Sequence, residues 1–183
     1  MIPELVMWLL VVAVLVLLVT MYLSWTAGRV DRMHVRVDAA RAALEAQRHR
    51  RSSVAIEIAV AGLLDPASAV LVADSAHRAR AAVPGDEELA ENDLTRALGA
   101  TFDDPAEVPP PADPSDGGGQ DLLVELDEAI RRLQLARRFH NDAVRATRAL
   151  RGHRLVRWLR LAGHAPMPRP IDFDDSTPAG LAG

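Results

Sequence analysis

The chain has 183 residues, no cysteine, 49% hydrophobic residues and only 4% aromatic ones. The lack of cysteine excludes disulfides, thiol nucleophiles and thiolate metal sites, and an aliphatic, aromatic-poor mixture favours helices packed through small side chains over a β-sandwich. The net charge of −4 hides three blocks: residues 29–83 carry nine arginines against six acids, residues 84–121 one against eleven, and residues 122–170 eleven against four.

The first predicted element is "LVMWLLVVAVLVLLVTMYLSW", Leu5 to Trp25, which holds 21 residues without a charge. At about 1.5 Å per residue it spans roughly 31 Å, matching a bilayer hydrocarbon core of about 30 Å. Trp8 lies near one end, and Tyr22 and Trp25 near the other, where amphipathic rings settle at the interface. A cleaved secretory signal would need a positive leader and a shorter apolar stretch, whereas Glu4 and no arginine precede this one. Residues 1–28 are therefore expected to be a transmembrane anchor. Arg29, Arg32, Arg36 and Arg41 follow the span. The positive-inside rule then predicts a single-pass protein of the cell membrane, with its N-terminus outside and the rest cytoplasmic.

A heptad seam continues without an intervening proline up to Asp65. Val30, Val37, Leu44, Arg51 and Ile58 form one row, and Met33, Ala40, Gln47, Val54 and Ala61 the other. The pattern predicts one long helix made to pack along its length. Gln47 and Arg51 interrupt the seam one turn apart. They are expected to form a polar layer that fixes register, paired with an acid such as Glu125 or Asp127 across the bundle. Asp65-Pro66 is a helix restart, with aspartate as N-cap and proline at the first helical position. The helix to about Ala82 is predicted to show Val70, Ala73, His77 and Ala81 on one side. After Pro84-Gly85, "DEELAENDLTRALGATF" predicts a shorter helix with acids at its positive end.

Residues 103–120 begin "DDPAEVPPPADPSDGGG" and are expected to be a disordered acidic linker, too poor in apolar surface to offset ordering entropy. The periodic signal resumes at Asp121, a plausible N-cap. Leu122, Leu126, Ile130, Leu133, Phe139, Ala143 and Leu150 form an apolar stripe that ends at Gly152. A basic amphipathic segment, "HRLVRWLRLAG", completes a C-terminal region over residues 121–163, and residues 164–183 are expected to be a disordered tail. Within "RRFHNDAV", residues 137–144, His140 and Asp142 sit two apart and so point about 200° apart on a helix. They cannot form a catalytic dyad with each other, and His140 is expected off the stripe.

The stretches "ARRFHNDAVRATRAL", "LVRWLRLAG" and a later "FDD" resemble the C-terminal half of the LemA family of membrane-anchored helical proteins. Ala136, Arg137, Phe139, Asn141, Ala143, Val144 and Gly163 match its pattern, and Phe173 stands for its late phenylalanine. Val37, Gln47, Arg50 and Arg51 match the N-terminal half more loosely. The chain departs from the pattern where His140 replaces a usual tyrosine, where Arg41 replaces a usual tryptophan, and in its long linker. The resemblance implies an antiparallel helical bundle on a membrane anchor, with membrane-associated scaffolding or a stress role as its function.

The expected fold class is therefore all-α, with an N-terminal transmembrane helix followed by an antiparallel four-helix-type bundle that begins over residues 29–102. The expected function is a non-catalytic scaffold or modulator at the cytoplasmic membrane. Its partners would be membrane lipids and a protein, with self-association left open. In the alternative, Arg154, Arg157, Trp158 and Arg160 dock on anionic lipid as an interfacial helix, and the protein shapes or senses the membrane. No aromatic ladder accompanies the arginines, which argues against nucleic acid. No two histidines lie three or four residues apart, so no metal site is expected. Phosphate loops, nucleophile elbows and zinc-protease motifs are absent from the sequence, and neither a cofactor nor catalysis is expected.

Overall fold

The computed structural model describes residues 2–103, 118–152 and 166–181. It contains four helices: α1 (Ile2–Val60), α2 (Pro66–Ala81), α3 (Glu87–Phe102) and α4 (Gly118–Gly152). No strand occurs among the described residues. The chain divides into two compact units, one of residues 1–39 and 142–169, the other of residues 40–141 and 170–183.

In the first unit, α1 carries the apolar run, and this is the one helix among the described residues long and apolar enough to cross a membrane. None of its most apolar window is buried against protein. The two threonines at its lower end close their own hydroxyls: Thr20 donates to Val16 O at 2.8 Å and Thr26 to Tyr22 O at 2.9 Å. Each hydroxyl proton is thereby used within the helix. Arg29 stacks over the Trp25 ring at 5.9 Å. Ala143, Val144, Thr147 and Leu150 of α4 are buried in the same unit.

The second unit has a core to which all four helices contribute. Val54, Ala55 and Ile58 come from α1, Val72, Ala76 and Ala79 from α2, Leu94, Leu98 and Phe102 from α3, and Leu126 and Ile130 from α4. α1 ends where Gly62 adopts φ +74°, a left-handed conformation that suits glycine at a helix C-terminus. Asp65 then caps α2, its side chain accepting from Ala67 N at 2.9 Å and Ser68 N at 3.3 Å. At the start of α4, a Cβ on Gly119 would fall 2.7 Å from Leu63 Cδ2, so the absent side chain lets the two segments approach.

Several expectations change. α2 buries Val72, Ser75, Ala76 and Ala79, while Val70, His77 and Ala81 are exposed; the inward face is rotated from the expected one. α4 is described from Gly118, so residues 118–120 are helical, and residues 104–117 of the expected linker lie outside the described residues. On α4 the expected places of Phe139 and His140 are exchanged: Phe139 is 65% exposed and His140 3%. Residue 140 continues the seven-residue row of Leu126 and Leu133, and packing follows that row in preference to the more apolar side chain. Residues 171–175 of the expected disordered tail instead lie as a strap on α3 and α4, because helix side chains satisfy its backbone groups. The basic segment holding Arg154, Arg157, Trp158 and Arg160 lies outside the described residues.

Candidate functional site

The expected polar layer at Arg51 occurs in the second unit, with a different partner. Arg51 is fully buried on the row of Leu44 and Ile58, and its Nη2 meets Glu91 Oε2 on α3. The same fork donates to the Glu91 carbonyl at 3.2 Å and, through Nη1, to Thr95 Oγ1 at 3.0 Å. The other carboxylate oxygen of Glu91 accepts from Arg48 Nε at 3.0 Å. One buried carboxylate thus serves two guanidiniums. Burial pushes the pKa of Arg51 down from its ordinary value, and the neighbouring Glu91 charge and hydrogen bond oppose that push.

The two acids expected as partners are engaged elsewhere: Glu125 pairs with Arg50, and Asp127 with Arg131 one turn along α4 at 2.8 Å. The reason is the height at which α3 meets α1, which sets Glu91 and Thr95, one turn apart on α3, against Arg51. Gln47 is only half-buried. Leu5, Trp8, Tyr22 and Trp25 all lie exposed along the apolar part of α1.

The strap completes the layer. Thr95 Oγ1, which accepts from Arg51, donates to Asp174 O at 2.6 Å. Arg137 grips Asp175 through Nε at 2.7 Å and Nη2 at 2.9 Å, a bidentate fork. Its guanidinium also lies 5.6 Å over the Phe173 ring. The hydrogen bond to Asp175 raises the pKa of Arg137 above its ordinary value. Asn141 holds both backbone groups of Ile171, donating to its carbonyl and accepting from its N–H, each at 2.9 Å. Phe173 is buried against Leu44 and Leu133, with Ala136 and Ile171 beside it.

Every charged group in this layer is therefore engaged with another part of the chain, and the arrangement can hold helices and a strap in register. No group of three or more histidine, aspartate and glutamate side chains is placed to hold a metal ion among the described residues. The polar layer was legible from Arg51. The strap was not, although the two-residue spacing of Ile171, Phe173 and Asp175 is a signal of an extended segment with one inward face.

Comparison of the chain with protein-family models, with curated proteins and with solved structures gives no match.

Proposed function

We propose that this is a LemA-like, single-pass protein of the cell membrane, with its N-terminus outside and an antiparallel helical bundle in the cytoplasm. It acts there as a non-catalytic scaffold or modulator that presents helical surfaces to a protein partner. The observation that carries the reading is α1 itself. One unbroken helix of 59 residues bears an apolar half with no protein cover and a second half that supplies Val54, Ala55 and Ile58 to the core. An apolar surface of that length is stable in lipid and costly in water. The polar layer and the strap support the scaffolding part, since they bind the chain to itself and hold its helices in register.

The test has two parts. The full chain in native membranes should resist extraction by high salt and alkali and be released by detergent. Photocrosslinkers at Leu135 and Phe139, 51% and 65% exposed on α4, should yield one dominant protein adduct. Release by alkali would refute the anchor. Recovery of only lipid and self adducts would refute the scaffold and favour a lipid-surface role for residues 153–162.

A further inference from the structure

Residues 171–175 lie on α3 and α4 in the manner of a bound peptide. Ile171, Phe173 and Asp175 turn inward, and Asp172 and Asp174 face solvent. Helix side chains read the main chain of this segment. Asn141 takes both backbone groups of Ile171. Glu88 Oε1 accepts from Asp172 N at 3.1 Å and Asn92 Oδ1 from Asp174 N at 2.7 Å. Thr95 donates to Asp174 O at 2.6 Å and Gln134 Nε2 to Asp175 O at 2.7 Å. Any extended peptide carries these backbone groups, so they supply affinity without sequence. Sequence is read at three inward positions, where Leu44, Leu133 and Ala136 receive Ile171 and Phe173, and the Arg137 fork receives Asp175.

Two further observations separate the groove from the segment that fills it. The main core of the unit draws its eleven buried residues from the four helices and none from residues 171–175. The helices that carry the readers are thus packed by a core that the segment does not enter, while Leu44 and Leu133 close a second cluster with Phe173 itself. The groove is also matched in charge to an acidic ligand: Arg137 lies within 3.5 Å of Asp172 as well as gripping Asp175.

We propose that this groove is a recognition site for an extended acidic segment of a partner protein with the pattern aliphatic-x-aromatic-x-acid, and that residues 171–175 are its resident competitor. The inference rests on the scaffold reading for why a partner should come. Its test uses a defined peptide, so the groove can fail while the scaffold stands, and the reverse.

The probe is a fluorescent peptide with the sequence of residues 169–179, RPIDFDDSTPA, added to the full chain in detergent. Phe173→Ala with Asp175→Asn removes the two inward anchors of the resident segment, which then competes through its backbone bonds alone (the emptied chain), and Arg137→Ala added to that pair removes the acid reader. The peptide should bind the emptied chain at least tenfold more tightly than the wild type, and the added Arg137→Ala should abolish the gain. No binding by an emptied chain that keeps its helical circular dichroism overturns the proposal. So does dimerisation of the wild type by strap exchange without uptake of peptide. Should the emptied chain unfold, hydrogen exchange of the wild type decides. Amides of Ile171, Asp172 and Asp174 exchanging at least tenfold faster than those of Leu98 and Ile130 support a segment that leaves a folded core. Exchange of all five together overturns it.

Discussion

Glu91→Gln removes the one negative charge that two guanidiniums share. Arg51 is 0% exposed in its side chain and Arg48 14%, so the two cations respond differently. Arg48 can turn its head towards water. Arg51 cannot, and is left as a buried cation whose remaining bonds go to a hydroxyl and a carbonyl. Removing one partner of a buried pair costs about 3–5 kcal/mol, and for a chain of this size each kcal/mol lowers Tm by roughly 2–4 °C. Glu91→Gln should therefore lower Tm by about 6–20 °C. Arg51→Met removes the more deeply buried charge and leaves Glu91 its bond to Arg48, so it should cost about 1–3 kcal/mol. Combining Arg51→Met with Glu91→Leu discharges the interior and should fall within about 2 kcal/mol of the wild type, in either direction. The assay is thermal unfolding of the full chain in detergent, followed by helical circular dichroism. A Glu91→Gln cost below about 1 kcal/mol, or a double variant less stable than Glu91→Gln, would refute the compensated-layer account.

The face that α4 turns inward is tested by contrast. Leu133→Ala should cost about 2–4 kcal/mol as a core truncation, while Phe139→Ala should stay within about 0.5 kcal/mol, both read by urea unfolding. Gly62→Ala forces a side chain into the left-handed region at φ +74° and should cost about 1 kcal/mol by the same measurement. The Asp65 cap predicts a pH dependence. Hydrogen bonds from Ser68, then from Ala67, hold its carboxyl below the ordinary 3.8. The cap's contribution is thus complete above that ordinary value and is lost as pH falls through the lower folded one. Amide exchange at Ala67 and Ser68 should rise on acidification relative to the rest of α2, and Asp65→Asn should flatten the response.

The elements set by local chemistry were legible. An unbroken seam without proline made α1 a single helix, and Asp65-Pro66 placed the start of α2. Arg51 on an apolar row announced a charged layer. What was not legible depends on which elements meet at which height. Nothing along α1 distinguishes Glu91 from Glu125 as the acid facing Arg51, because that depends on how α3 is carried back by the turn at Pro84-Gly85. The exchange of Phe139 and His140 has a related cause. Hydropathy favours Phe139, but the row from Leu126 through Leu133 reaches residue 140, and a helix can bury only one face at a time. The strap was missed because prolines and acids suggest disorder by composition. Its order comes from side chains on other helices, which a local reading does not see.

The chemistry of the strap and of the buried layer meets at one hydroxyl. Thr95 accepts from Arg51 and donates to Asp174 O, and a hydroxyl with one proton can do both only when the two neighbours are in place. A strap that lifts leaves the Thr95 proton without that acceptor and opens the edge of the Arg51–Glu91 pair to water. An apolar layer at the same height could stabilise the core equally well, but Thr95 would then lose the Arg51 donor that helps to hold its hydroxyl towards Asp174 O. The charged layer therefore accounts for a property that burial alone does not: the seam between α1 and α3 is chemically coupled to what occupies the groove. A discharged Arg51→Met, Glu91→Leu chain of near wild-type Tm should accordingly show faster exchange at Asp174 than the wild type. Unchanged exchange there would mean that the layer holds only the helices.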